Sequence, residues 1–459
     1  MAANKHPLVT VYITNFNYGR YLERAIRSVL DQTFQDFELI IIDDGSTDGS
    51  HKILETYETR ERTFVIFQQN KGLNATNNIA LKLARGTYIM RLDADDYLDP
   101  HALEIMVSTL ERKPELALVF PDYYLVDEQG NVIEQVRRHD FEKDVSLLDQ
   151  PAHGACTLIR RDVLQAVGGY DETFNRQDGY DLWLKIIDDY PIQNVNLPLF
   201  YYRQHAKSLT RDETQLLKTR SEIKAKHVRK RGLESLSVLT VVPVRGSVAD
   251  PRSLPLAPLG DKCLIDWTLQ AALASEHVSD VLVTTPDYQV QNYVRQRYGS
   301  QVSVVERTPE LARINTRIEE TILDTLDFYV QDHASPDVIL VLYVEAPFRS
   351  TMYIDKAIHT MQLYDVDVVD GVRLDDSLFY VHNGQGLRPW QAEGGLRLER
   401  GDLYRRVGGL HLIHRDFLET KRKMIGGKIG HILMDQKAAL LIRSELDWQI
   451  ASFLAEQGG

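Results

Sequence analysis

The chain has 459 residues, 43% hydrophobic and 26% charged, ordinary globular values that exclude wholesale disorder. That length predicts about two to three domains, each able to bury its own core. A formal net charge of −13 excludes a general nucleic-acid binder, whose phosphate partner demands the opposite sign. Cys156 and Cys263 are too few for a disulfide framework or a thiolate metal site, which fits a reducing, cytoplasmic setting. The N-terminus shows no charged-then-apolar leader pattern, and no apolar run reaches the ~18–20 residues that span a bilayer. A soluble protein is expected, peripheral to a membrane at most.

In chain order, Leu8 to Ile13 reads as a short apolar strand, and Tyr21, Leu22, Ala25, Ile26, Val29 and Leu30 then recur at helical spacing. Phe37 to Ile42 is a buried-type strand running into Asp43-Asp44-Gly45-Ser46-Thr47-Asp48-Gly49-Ser50. That turn-rich run predicts a helix capped by Ser46 or Asp48 and continuing toward Tyr57. A third strand is expected over Phe64 to Phe67 and a third helix over Leu73 to Ala84. The next strand, Tyr88-Ile89-Met90-Arg91-Leu92, ends in Asp93-Ala94-Asp95-Asp96.

Desolvating a carboxylate costs several kcal/mol, so a cation is expected beside this acidic strand end. On an extended backbone Asp93 and Asp95 face one side and could share one ion. Hard oxygen ligands favour Mg²⁺ or Mn²⁺, which clamps nucleotide phosphates; a solvated acidic turn is the alternative. The strand–helix alternation predicts a mostly parallel sheet with ligands at the carboxyl ends of its strands. Asp43-Asp44 and Asp93-Ala94-Asp95 both fall at such ends, so two acidic loops are expected to line one crevice.

Five stretches carry a family resemblance: Val11-Tyr12-Ile13-Thr14-Asn15-Phe16-Asn17, "IIDDGSTDGS", "NKGLNATNNIALKLARGTYIMRLDADD", "GGYDETFNRQDGYDLWLK" and "YYRQHAKSLT". In this order and spacing, residues 8–210 resemble an inverting family 2 glycosyltransferase of the GT-A fold. The resemblance implies that Asp43 contacts the nucleoside, with Thr14, Asn15, Asn17, Asp44, Asn70, Gly72, Asn77 and Asp93 around the donor nucleotide. It also implies that Asp93 and Asp95 form a D-x-D motif holding Mn²⁺ or Mg²⁺, Asp95 being the direct ligand. Thr76 departs from the family, which often has an arginine before Asn77.

Inverting transfer needs a carboxylate opposite the leaving diphosphate to take the acceptor hydroxyl's proton. Arg176-Gln177-Asp178-Gly179-Tyr180-Asp181-Leu182-Trp183 offers two acids ahead of an amphipathic helix that begins with Leu182, Trp183, Ile186 and Ile187. Asp178, just before that helix, stays ionised at its N-terminus and matches the family's catalytic base. Asp181 is expected to cap the helix. His205 reads as a further metal ligand, a donor-phosphate contact, or a surface histidine without a role. Gly168-Gly169-Tyr170 reads as a tight turn placing the acceptor-side wall.

Residues 211–232 read as a helical linker, basic through Lys218, Arg220, Lys224, Lys226, Arg229, Lys230 and Arg231. It is either a solvated helix or a surface for anionic lipid, where lipid-linked acceptors reside. A second strand–helix series begins at the stretch Ser237 to Gly246, followed by helices over Ile265 to Ala274 and Gln289 to Tyr298 and strands at Val281 to Thr284 and Val338 to Tyr343.

The stretches "VVPVRG", "PLAPLGDKCLIDWTLQAAL", "VEAPFRS", "LYRRVGGLHLIHRDFL", "MIGGKIGHILM" and "SELDW" make residues 233–459 resemble a CMP-sialic-acid-synthetase-like cytidylyltransferase. The resemblance also shows the family's active-site positions to be lost. Its nucleotide-gripping loop positions hold Val248, Ala249, Leu254 and Pro255, its glutamine is Tyr343, and its metal-binding aspartates are Leu441 and Arg443. An apolar side chain cannot ligate a hard cation and an arginine repels it. Arg245, Arg349 and Arg405 remain for weak anion binding. Residues 375–393, with Leu378, Phe379, Tyr380, Val381, Pro389 and Trp390, form either a dimerisation arm or a loop folded on its own core.

The expected architecture is thus α/β with two Rossmann-like domains: a GT-A glycosyltransferase domain over 1–210 and a nucleotidyltransferase-like domain over 233–459. The expected function is metal-dependent, inverting transfer from a nucleotide-sugar donor to a glycan or lipid-linked acceptor, in a homodimer held by an inactive second domain. Its alternatives are a bifunctional enzyme that also makes a CMP-activated nonulosonic or ketodeoxy sugar, and a non-catalytic scaffold.

Overall fold

The computed structural model describes residues 6–136, 153–205, 212–246, 250, 253–313, 315–375, 377, 379–382, 384–390 and 403–457. They fall in two units, one within Met1–Asp212 and one from Glu213 onward. The α/β class expected from the sequence is what both units show.

The first unit opens with β1 (Val9–Asn15), α1 (Gly19–Leu30), β2 (Phe37–Asp43), α2 (Ser50–Glu55), β3 (Thr63–Phe67), α3 (Leu73–Leu83) and β4 (Tyr88–Asp93). β5 (Tyr97–Leu98), α4 (Ala102–Arg112), β6 (Leu118–Val126), β7 (Val132–Val136), β8 (Leu158–Arg160), α5 (Arg161–Ala166), α6 (Asp178–Ile186) and β9 (Ile192–Arg203) complete it. Among the described residues the sheet runs β3-β2-β1-β4-β8-β6-β9-β5, with β7 beside β6. β1, β2, β3 and β4 are mutually parallel. Such strands are covered on both faces and therefore read as continuous apolar runs. Val11, Ile13, Leu39 and Ile41 pack with Leu22 and Ile26 of α1 and Leu103 and Met106 of α4. Tyr12, Ile40 and Ile42 turn to the other face, against Ala80 and Leu81 of α3 and Leu182, Trp183 and Ile186 of α6.

Three local expectations are corrected. The helix after the first acidic loop starts at Ser50 with Gly49 ahead of it, so neither Ser46 nor Asp48 is its cap residue. The Asp48 carboxylate instead accepts from the backbone N–H of Ser50 and of Gly19, both at 2.9 Å, and ties the starts of α1 and α2 together. Asp181 does not cap α6: Gln177 precedes the helix, and Asp181 pairs with Lys185 one turn on at 2.6 Å. Asp178 lies not ahead of the helix but in its first turn.

The second unit begins with α7 (Glu213–Arg231), followed by β10 (Val238–Pro243). α7 is the segment expected to be a solvated linker. It packs within this unit, burying Leu217, Ile223, Val228 and the whole of Lys224, whose ammonium donates to Thr360 at 2.7 Å. A lysine held there does not meet lipid. β11 (Pro258–Leu259) and β12 (Lys262–Cys263) form a small hairpin. β13 (Asp280–Thr285), β14 (Ser303–Glu306), β15 (Val338–Leu342), β16 (Val368–Asp375), β19 (Leu403–His414) and β20 (Ile429–Leu433) join β10 in a sheet of order β14-β13-β10-β15-β19-β16-β20. β17 (Tyr380–His382) and β18 (Leu387–Pro389) make a separate ribbon leaving Tyr380, Leu387 and Trp390 exposed; Leu378 lies outside the described residues.

Candidate active site

Strand register assembles the site. Asn15 sits opposite Asp43 across β1 and β2, and Thr14 opposite Asp93 across β1 and β4. Three neighbouring strands therefore deliver polar side chains to one carboxyl-end rim, the place where open α/β sheets bind ligands.

On one flank Asn15 donates to Asp43 Oδ1 at 2.6 Å and to Ser46 Oγ at 3.0 Å. Asp43 Oδ2 accepts from the Ser46 N–H at 3.0 Å and lies 3.2 Å from His51 Nε2. Asn17, in the left-handed region at φ 61°, receives the Thr47 N–H on Oδ1 at 2.7 Å. Asp44 is used differently: its oxygens take the backbone N–H groups of Lys71 and Gly72 at 2.8 and 2.9 Å and the Gln68 amide at 2.7 Å. It thereby fixes the loop carrying Asn70 and Gly72, and Gly72 has φ 86°. Asn77 is fully buried in α3 with neither side-chain amide atom hydrogen-bonded, whereas Thr76 accepts from Gln68 at 3.0 Å.

On the other flank the extended D-x-D geometry does not hold. β4 ends at Asp93, residues 94–95 form a turn, and the Asp96 N–H bonds the Asp93 carbonyl at 3.1 Å. The cation expected beside this acidic end is present as side chains. Arg91, one turn of the pleat before Asp93, sets its Nε 3.0 Å from Asp93 Oδ1 and its Nη1 against Asp178 Oδ2. Asp95 Oδ2 lies 2.9 Å from His205 Nε2, and the His205 ring sits edge-on to Tyr18 and stacked near Tyr21. His205 is thus not a surface residue. Arg203 supports the turn from β9 through the Asp95 carbonyl and the Asp96 carboxylate, each at 2.9 Å.

Burial pushes the Asp93 carboxyl up to about 6, opposed by Arg91 and reinforced by Asp95 and Asp178. Burial, then Asp95 and Asp93, also raises Asp96 well above the carboxylate range. Arg91 is held well into its charged form: burial disfavours the charge, but Asp178 and then Asp93 outweigh it.

The segment leading to Asp178 is clamped by α3. Asn74 donates to the carbonyls of Asp171 and Phe174 at 2.7 and 2.8 Å, and Asn78, one turn on, exchanges hydrogen bonds with the Tyr170 backbone at 2.9 Å. The Gly168-Gly169 turn lies at φ 85° and 67°, and a Cβ on Gly169 would stand 2.7 Å from Asn78 Oδ1. Gln177 and Cys156 join Asn17 as non-glycine residues with positive φ, at 58° and 57°. Such strained positions persist where surrounding structure over-determines them, often around functional sites.

Residues 10–168 match the family model described as "Glycosyl transferase family 2". The first unit contains a family 2 glycosyltransferase domain. Residues 254–389 match the model "Cytidylyltransferase", so the second unit contains a domain of that family. The glycosyltransferase domain is similar to the chondroitin synthase of Escherichia coli, 32% identical over 41% of this chain and 28% of that protein. It is also similar to the uncharacterized glycosyltransferase alr2836 of Nostoc sp., 36% identical over 43% of this chain and 65% of the relative. The curated relatives include hyaluronan synthase of Pasteurella multocida, 29% identical, of which the chain spans 20%. The chain thus spans less than two thirds of the length of each of these three relatives. Among solved structures, S. aureus TarS 1-349 in complex with UDP-GlcNAc has a TM-score of 0.41 at 19% identity, covering 48% of this chain and 66% of that one. The mannosyltransferase PcManGT of Pyrobaculum calidifontis, in complex with GDP-Man and Mn2+, has a TM-score of 0.40 at 18%, covering 49% and 65%. Likeness at this level aligns no site residue.

Enzymes of the glycosyltransferase family are commonly metal-dependent. Among the described residues no three His, Cys, Asp or Glu side chains group as a metal cage. The donor set nevertheless fits a divalent cation that binds with a nucleotide, since Mg²⁺ in such sites takes only one or two carboxylates plus substrate phosphates. Asp95 adds to the cost of ionising Asp93, which a cation beside them would relieve. Sequence reasoning missed Arg91, Asn74 and Asn78. The signal for Arg91 was there: an arginine inside an otherwise apolar buried strand requires a carboxylate partner.

Proposed function

We propose that the first unit is an inverting, metal-dependent glycosyltransferase, moving a sugar from a nucleotide-sugar donor to a hydroxyl of a glycan or lipid-linked acceptor. The observation that carries this reading is that β1, β2 and β4 bring Asp43 and Asp93 to one carboxyl-end rim, where Arg91 joins Asp93 to Asp178, within a glycosyltransferase domain. Relatives named chondroitin and hyaluronan synthase support a polysaccharide or glycoconjugate product.

Asp43, steadied by Asn15 and Ser46, offers its carboxylate to the nucleoside, and Asn17 borders the same pocket. Asp93 and Asp95 would hold Mn²⁺ or Mg²⁺, with His205 keeping the Asp95 carboxylate in place. A bound ion supplies charge neutralisation for the departing diphosphate. Asp178, at the positive end of the α6 dipole, takes the acceptor hydroxyl's proton.

The second unit supports this reading by what its arginines do. Arg349 is buried and spends its guanidinium on the carbonyls of Gly408 and Gly409 at 2.7 and 3.0 Å, and burial pulls it down to about 9. Arg405 pairs with Asp375 at 3.2 Å. In our reading this unit no longer activates a sugar and holds two copies together through the exposed β17–β18 ribbon.

The test is release of nucleoside diphosphate by the full chain from UDP-N-acetylglucosamine, UDP-glucose, UDP-glucuronate or GDP-mannose with Mn²⁺, water standing in for the acceptor. One donor should be turned over, and Asp178→Asn should slow it about 10²–10⁴-fold. Wild-type turnover by Asp178→Asn would end the base assignment.

A further inference from the structure

We infer that Arg91 is the positioning residue for the base: it holds Asp178 through one carboxylate oxygen and leaves the other for the acceptor. This inference rests on the glycosyltransferase reading above.

β4 is a core strand, and the Arg91 side chain in it is only 4% exposed. Burying a guanidinium is costly unless it is paired and hydrogen-bonded, so its place in this strand needs a reason. The reason in the structure is a double engagement. Nη1 donates to Asp178 Oδ2 and Nη2 to Asp93 Oδ2 at 3.4 Å, while Nε stands 3.0 Å from Asp93 Oδ1 as an ion pair without hydrogen-bond geometry. A planar guanidinium can serve two carboxylates in fixed directions at once, where a lysine acts as a single point charge. Arg91 thus spaces the base from the donor-side carboxylate and cancels the repulsion between them.

A further observation narrows the role. Gly154 lies against the pair: a Cβ there would stand 2.8 Å from Arg91 Nη2 and 3.3 Å from Asp178 Oδ2. The carboxylate is therefore walled on its Oδ2 side by Arg91 and Gly154, and Oδ1 is the oxygen turned to the reaction. In the transfer, the acceptor O–H proton passes to Asp178 Oδ1 as the acceptor oxygen bonds the anomeric carbon. The bond to the diphosphate breaks, and the diphosphate leaves with its electron pair.

The experiment compares Arg91→Met, Arg91→Lys, Gly154→Ala and Asp178→Asn in the full chain. It measures kcat and KM for the donor turned over above and Kd for its nucleoside diphosphate with Mn²⁺. Arg91→Met should lose at least about 100-fold in kcat, close to the loss in Asp178→Asn, with KM and Kd within about threefold of wild type. Arg91→Lys should recover part of that loss, because it restores charge without the double fork. Gly154→Ala should lower kcat without weakening the nucleotide. If Asp178→Asn is crippled while Arg91→Met keeps wild-type kcat, the positioning role is wrong. If Asp178→Asn itself keeps wild-type kcat, the base assignment has failed instead. A loss in Arg91→Met seen as weaker Kd rather than lower kcat would also overturn the inference and make Arg91 a donor-side residue. Should Arg91→Met fail to fold, Arg91→Lys and Gly154→Ala decide: wild-type kcat in both overturns it.

Discussion

The carboxyl-end rims of the two sheets make an instructive contrast. Both units place a parallel strand set with its polar residues at the strand ends, and both put arginines there. In the first, Arg91 pairs with two carboxylates, Asp93 and Asp178, so its burial and charge are spent on acidic side chains. In the second, Arg349 turns inward to the backbone carbonyls of Gly408 and Gly409, and our proposed reading of Leu441, Arg443 and Tyr343 as lost active-site positions adds to the contrast. A shared architecture positions a crevice; which atoms face it decides whether chemistry follows.

The contrast breaks most sharply on function. Asp93→Asn should lower transfer about as much as Asp178→Asn, on the order of 10²–10⁴-fold, whereas Arg443→Ala should leave it unchanged; both are read from nucleoside diphosphate release. A smaller effect separates the arginines. Arg349→Met strips donors from the buried Gly408 and Gly409 carbonyls and should cost about 1–3 kcal/mol in denaturant unfolding while leaving transfer intact. A third test uses pH. The Asp93 carboxyl titrates near about 6 in the folded chain against an ordinary 3.8, so the folded state binds that proton more tightly. Its contribution is fully present below about 3.8 and is lost as pH rises through about 6. Metal-free protein should therefore lose melting temperature across that window, Asp93→Asn should flatten the loss, and Mn²⁺ should oppose it. The smallest expected effect is at the α6 start, where Asp181→Asn removes a pair one helical turn apart and should shift stability without changing kcat.

Much of this was legible in the chain. Apolar runs marked β1, β2 and β4 because strands buried on both faces leave no polar alternation to confuse with helix. Asp43, Asp93 and Asp178 could be singled out because carboxylates at strand and helix ends are costly without a role. What stayed hidden depends on long-range contact. Asn74 and Asn78 look like ordinary helix-surface residues until the loop from Tyr170 to Phe174 is seen on them. The turn at 94–95 undid the extended reading because the Asp96 N–H closes on the Asp93 carbonyl, a local bond that alternation rules do not anticipate. α7 misled for a different reason: its basic composition looked solvated, yet Lys224 lies buried against Thr360, 136 residues away.

The measurement that tests the account most directly is the stability of the full chain with UDP, GDP, CDP, CMP and CTP, each with and without Mn²⁺, repeated on Asp43→Ala. A ligand at about 100 times its Kd adds roughly 2.7 kcal/mol when it binds only the folded state. The account predicts stabilisation by one nucleoside diphosphate, only with the ion, and its loss in Asp43→Ala. Stabilisation by CTP that survives Asp43→Ala would contradict it, and would return the second unit to the ranks of working nucleotidyltransferases.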